Sequence, residues 1–119
     1  MTYQEIMTMM QETGLPFAYD HFAEGESPEP FAEGESPEPP FAVFLFPSSN
    51  NFGADGKVYQ KIDRLRIEVY TDYKQPNIEN SVEAVLDQHG LFYDKTEVWI
   101  ASERLYEVTY TMEVLNNAC

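Results

Sequence analysis

Apolar and polar residues alternate most regularly in two stretches of the chain. In the first, within Lys57–Tyr73, Leu65, Ile67, Val69 and Thr71 fall on one side, and Arg66, Glu68, Tyr70 and Asp72 fall on the other. In the second, Tyr106, Val108, Tyr110, Met112 and Val114 alternate with Glu107, Thr109, Thr111 and Glu113. A two-residue period marks a strand with one face on a core and the other facing water or a partner. Between them the period changes. Ile78, Val82, Val85 and Leu86 recur at helical spacing, Pro76 suits the first helical position, and Gly90 suits the C-terminal cap.

The remaining pattern is read against that strand–helix–strand unit. Thr2 and Glu5 have the spacing of a capping box, and Tyr3, Ile6, Met7 and Met10 form an apolar stripe that ends before Gly14. Two methionines in such a stripe read as adaptable core packing rather than a ligand box. Leu15–Tyr19 reads as a short edge strand, where Pro16 is tolerated. Phe41–Phe46 is apolar at every position, which predicts a strand covered on both faces, with Pro47 stopping it. Residues Ser48–Gly56 read as a turn-rich loop leading into the Lys57–Tyr73 strand. After the second helix, Leu91–Tyr93 and Glu97–Ile100 predict a strand with a break near Asp94–Thr96. The tail Asn116–Cys119 should be frayed.

Residues 22–30 and 31–39 are both FAEGESPEP, a perfect tandem copy. Structural repeats drift and have longer periods, so this reads as a duplication within a loop. Asp20–Pro40 holds seven acids and no base, together with five of the eight prolines. Such a stretch buries too little apolar surface to offset its chain entropy, so an extended acidic arm is expected over 20–40. Phe22 and Phe31 are then alternatives for one anchoring position. The predicted class is α+β: a mostly antiparallel sheet of four to five strands with two helices packed on it. The order is α-β-(acidic arm)-β-β-α-β-β, and residues 1–119 make a single domain.

Charge narrows the partners. The formal net charge is −14, and the first basic residue is Lys57, so residues 1–56 carry ten acids with no base to balance them. Phosphate contacts need clustered Lys and Arg, so DNA or RNA binding is disfavoured. No run of eighteen apolar residues suggests a membrane helix, and the opening MTYQEIMTMMQETG lacks the pattern of a secretion signal. Cys119 is the only cysteine, which excludes an internal disulfide.

Chemistry finds little support. His21 and His89 have no metal-spaced partners, and His89 sits where a partial positive charge suits a helix C-terminus. Cys119 has no helix start or basic neighbour to activate it. There is no glycine-rich phosphate cradle and no EF-hand spacing. The expectation is a protein without catalytic residues, metal or cofactor. The candidate contact residues are Asn50, Asn51, Phe52 and Asp55 in the loop, with Arg66, Tyr70 and Tyr73 on the polar side of the long strand, where aromatic residues anchor contacts.

The segments HFAEGESP and SNNFGAD, then R-x-x-I-E-V-Y-T, LFYDKTEVWI and LYEVTYTMEV, carry a resemblance. Over about Ile6–Val114 the chain resembles small tail proteins of long-tailed phages and prophages of Gram-positive bacteria, of the tail-terminator (tail-completion, tail-to-head joining) family. The duplicated FAEGESPEP departs from that pattern. The resemblance implies a virion protein made in the bacterial host's cytoplasm, forming a ring of six copies. That ring would cap the tail tube protein and dock onto the head–tail connector protein. Glu24, Glu26, Glu29, Glu33, Glu35 and Glu38 of the arm would then line the lumen or touch a neighbour. A negative wall would let DNA pass without adsorbing, since like charges within a Debye length, about 8 Å, repel. The alternative from another class is a small acidic binding module, such as a DNA-mimic inhibitor.

Overall fold

The computed structural model describes residues 2–19, 39–49, 52–54, 57–60 and 62–115. Their order is α1 (Tyr3–Glu12), β1 (Phe17–Tyr19), β2 (Phe41–Ser49), β3 (Phe52–Ala54), β4 (Lys57–Gln60), β5 (Ile62–Thr71), α2 (Pro76–Gln88), β6 (Tyr93–Ile100) and β7 (Leu105–Leu115). Five strands form one sheet in the order β1-β2-β5-β7-β6, and β3 pairs with β4 in a separate two-stranded sheet. The class is α+β, as the alternation predicts.

The two regular stretches become the middle of the sheet. β5 and β7 pair antiparallel over ten positions, from Ile62 opposite Leu115 to Thr71 opposite Tyr106. Leu65, Ile67, Val69, Val108, Tyr110, Met112 and Val114 are all buried on one face. Ile6, Met9 and Met10 of α1 and Val82, Val85 and Leu86 of α2 close over that face, with Ala42 and Phe44 of β2, as one core. Each stripe is too apolar to face water alone, and joining them hides both.

The helix ends follow local chemistry. The Glu5 amide donates to Thr2 Oγ1 at 3.1 Å, and the Thr2 amide donates to Glu5 Oε1 at 3.3 Å, which completes the capping box. Pro76 occupies the start of α2. At its other end Gly90 takes φ +68°; its amide donates to the Asp87 carbonyl and the Leu91 amide to the Leu86 carbonyl. That pair is a Schellman ending, and its left-handed residue favours glycine.

Several expectations are corrected. The buried stripe of α1 is Ile6, Met9 and Met10, whereas Tyr3 is about half exposed and Met7 only partly buried. Positions 6, 9 and 10 share the helix face equally well, and β2 selects them. β2 does not stop at Pro47 but runs to Ser49, with a shift of register between Leu45 and Ser48. β1 reaches only Phe44 on that side, so Pro47 leaves no neighbour there lacking a donor. The Lys57–Tyr73 strand is two strands, β4 and β5, and part of the expected loop is β3. β6 is continuous through Asp94–Thr96, because β7 pairs with all eight of its residues. The tail 116–119 lies outside the described residues.

β1 is an edge strand as expected, but it pairs parallel with β2, Phe17 opposite Ala42 and Tyr19 opposite Phe44. No hairpin joins parallel neighbours; such a connection takes about a dozen residues or more. Residues 20–40, the expected arm, supply it, and 20–38 of them lie outside the described residues. Removing one FAEGESPEP copy leaves a connection of about a dozen residues, still long enough by that rule. Its loop-closure entropy changes by about 0.5 kcal/mol. The shortened chain should therefore fold with nearly unchanged stability. Urea unfolding checks this: a change above about 2 kcal/mol would mean the second copy is part of the packed structure.

Candidate assembly surface

Of the predicted contact residues, Phe52, Arg66, Tyr70 and Tyr73 lie among the described residues. Asn50, Asn51, Asp55 and the six arm glutamates lie outside the described residues; Phe52 opens β3 opposite Gln60. Arg66 and Tyr70 share the sheet face opposite the helices, and Glu68 joins them. Arg66 Nε lies 3.0 Å from Glu68 Oε2, and the Tyr70 hydroxyl lies 2.8 Å from Glu68 Oε1 and 2.9 Å from Glu107 Oε2. The Tyr70 ring also stacks on Phe41 at 5.0 Å. Burial, then the two carboxylates, push the Tyr70 phenol well above its ordinary pKa. This tyrosine is engaged within its own chain. Tyr73, in the link after β5, is 62% exposed and stands apart from both.

The sequence pattern predicts a strand at β6 but does not single it out as a contact surface. Among the described residues β6 forms one edge of the sheet, pairing with β7 alone, and six of its eight residues are exposed. Phe92, just before it, is 87% exposed, and Val98 and Trp99 are about half exposed. The Trp99 ring lies 4.8 Å from that of Tyr106. Where β6 begins, a cleft of about 690 Å³ is lined by Arg64, Leu91, Phe92, Asp94, Met112 and Glu113 among others. Apolar side chains beside an unpaired edge are what proteins normally avoid, so this edge reads as a contact surface. The signal in the sequence was LFYDKTEVWI itself, which lacks a clean alternation because the strand is exposed on both sides.

A polar network fastens α2 to β6. Glu79 is buried, and Lys74 Nζ and Lys95 Nζ each approach its carboxylate at 2.8 Å. Lys95 also lies 2.8 Å from Glu83 Oε2, and Lys74 lies 2.6 Å from Glu97 Oε2. The Tyr110 hydroxyl donates to Glu83 Oε2 at 2.9 Å, and the Tyr93 hydroxyl to Oε1 at 3.4 Å. The network was legible in part. Glu79 precedes Val82 by three and Leu86 by seven residues, so it shares their stripe.

Burial alone would raise the Glu79 and Glu83 carboxyls. The donors from Lys74 and Lys95 on Glu79, and from Lys95 and Tyr110 on Glu83, outweigh it, so both sit below the ordinary carboxylate value. Burial would lower Lys95, but Glu79 and Glu83 outweigh it and hold it well above its ordinary value. Hydrogen bonds to Glu79 and Glu97 raise Lys74. Burial and then Glu83 raise Tyr110 and Tyr93.

These shifts fix a pH window. Depressed carboxyls give stability present above their unfolded pKa, about 4.3, and lost as pH falls through the folded value. Raised lysines and tyrosines give stability present below their unfolded values, about 10, and lost as pH rises through the folded ones. The melting temperature should be flat between about pH 5 and pH 9.5 and fall on both sides. Thermal melts across pH 3–11, repeated on Glu79→Leu, check this: the variant should lose part of the acid limb.

The opposite edge is β1, and it too carries aromatic side chains. Tyr19 lies 5.1 Å from Tyr3, 5.2 Å from Phe44 and 6.2 Å from Phe46, ring centre to ring centre. Tyr3 and Tyr19 are each about half exposed. At the far ends of the helices, His89 Nε2 lies 2.9 Å from Glu12 Oε1, joining the last turn of α2 to that of α1. His21 and Cys119 lie outside the described residues. Among the described residues, no group of three or more His, Cys, Asp or Glu side chains is placed to hold a metal ion.

No protein-family model matches the sequence, and no curated protein matches it. The resemblance to tail terminators therefore rests on the quoted segments alone. Among solved structures the chain is similar to one in the virion of a native gene transfer agent particle. The TM-score is 0.59, over 95% of this chain and 89% of that chain, at 11% identity. At that identity the likeness shows a shared fold.

Proposed function

We propose that this chain is a structural protein of a phage-like virion and, within it, the tail terminator. Six copies form a ring that caps the tail tube and joins it to the head connector. One observation carries the reading. The fold matches, over nearly the whole of both chains, a chain from a gene transfer agent virion. The open apolar edge at β6 adds to it, since a surface of that kind suits assembly better than turnover. The work is surface complementarity, and DNA passes an acidic wall without specific binding.

A DNA mimic would hold rows of carboxylates at phosphate-like spacing. Four of the acids on α2 and the sheet are instead held by bases: Glu79, Glu83 and Glu97 by Lys74 and Lys95, and Glu68 by Arg66. That arrangement favours the virion reading. The test is a tube-assembly reaction with the tail tube protein of the same particle. Adding this chain should stop growth and leave capped tubes able to attach to heads. Tubes that elongate unchecked and still attach to heads would refute the terminator role.

A further inference from the structure

We propose that the main sheet runs on from one copy of this chain into the next, with β6 of one copy pairing antiparallel to β1 of its neighbour. The inference rests on the virion reading for its biological setting, but its argument is geometric.

Strand direction comes first. β1 runs parallel to β2, and β2, β5, β7 and β6 then alternate in direction. β6 is therefore antiparallel to β1 of its own copy. A neighbour that extends the sheet in the same orientation brings its β1 alongside β6 in that same antiparallel sense. Antiparallel ladders are the more stable kind, and a closed ring of this sort leaves no free edge.

The side chains agree. Tyr19, Phe44, Ile67, Tyr110 and Lys95 lie in one row across the sheet, and Phe17, Ala42, Val69, Val108 and Glu97 lie in the next. Tyr19 and Trp99 are both on the helix-bearing face, each half exposed at its own edge. Continuing the sheet places the Tyr3–Tyr19 pair of one copy against the β6 edge of the other, between Phe92 and Trp99.

Charge decides between like and unlike pairing. The chain has no base before Lys57, so the α1–β1–β2 side offers Glu5 with no Lys or Arg of its own, and Glu12 faces His89 at the end of α2. Lys95 lies on β6, where Glu79 and Glu83 already hold it, Arg104 in the turn after it, and Arg64 in the cleft at its start, all interspersed with Asp94, Glu97, Glu103 and Glu113. Pairing two α1–β1 edges would set acid against acid on a chain of net charge −14. Pairing β6 with β1 sets the end of mixed charge, the less acidic of the two, against the acid-only end. Two unlike edges at opposite ends of one sheet are what a head-to-tail contact needs, and such contacts close into rings where the rotation between copies closes.

The test uses the full chain with Cys119→Ser, carrying either Thr96→Cys on β6 or Ala18→Cys on β1, which share one row and one face across the sheet, and a short bis-maleimide cross-linker. Mixing the two variants should give a cross-linked dimer, with each alone giving little. A chain carrying both cysteines should give a ladder ending at the closed ring. Adding Phe92→Ser and Trp99→Ser to the mixture should cut the yield about tenfold or more, with the thermal melt confirming that those chains stay folded. Cross-linking of either variant with itself as readily as in the mixture overturns the proposal. So does the absence of any product up to millimolar protein. Failure here is separable from failure of the terminator role: a chain that stops tube growth yet cross-links like to like would keep the function and lose this interface.

Discussion

Phe44→Ala should cost about 3–5 kcal/mol, the range for removing a buried aromatic ring from a packed core. For a domain of this size that is a fall in melting temperature of about 12–20 °C. Phe44 is fully buried in β2, with the rings of Tyr3, Phe17 and Tyr19 between 5.2 and 6.2 Å away. It touches aromatic residues from both α1 and β1. β1 has only three residues in the ladder, too few to hold an edge by backbone pairing alone. Losing Phe44 should therefore loosen β1 and α1 before the β5–β7 pair. Hydrogen exchange should show early loss of protection at Phe17–Tyr19. Phe44→Leu, which keeps most of the volume, should cost less than half as much. A Phe44→Ala loss below about 1 kcal/mol would mean the cluster is not a packed part of the core.

Glu79→Ala is the second large effect, expected at about 2–3 kcal/mol. Breaking a buried ion pair by removing one partner costs about 3–5 kcal/mol, because the other charge is left uncompensated. Here Lys74 and Lys95 are each more than a third exposed and retain Glu97 and Glu83, so water and those partners recover part of that. Glu79→Leu should cost less than the alanine change, since a packed apolar side chain removes the desolvation penalty along with the pair. Chemical denaturation of the two variants checks the order. If alanine proves no worse than leucine, the carboxylate is not what joins α2 to β6. The consequence reaches function, because this network holds the exposed edge in place. Glu79→Ala should weaken assembly as well as stability.

The positions that could be read in advance were those where a residue's own period fixes its surroundings. Alternation at Leu65–Thr71 and Tyr106–Val114 determined which side chains face the core, since a strand has two faces and only one is apolar. Thr2 with Glu5, Pro76 and Gly90 determined where helices begin and end, because each satisfies backbone groups within a few residues of itself. The acid-only first half was equally plain, and it bears on how copies meet.

What the sequence left open were relations between distant segments. Nothing in Leu15–Tyr19 says that it joins β2 in parallel, since that depends on how the chain returns after a long connection. Nothing in Tyr93–Ile100 says that it is unbroken, since its continuity comes from β7 on one side. Glu79 shares the stripe of Val82 and Leu86, but its partners are set only when Lys74 and Lys95 are brought to it from segments before and after its helix. Tyr70 reads as an exposed anchor until Phe41, Glu68 and Glu107 enclose it. Local periodicity carries information about a residue's own turn or pleat. Which edges of the sheet stay open is decided only when strands far apart in the chain have chosen their neighbours.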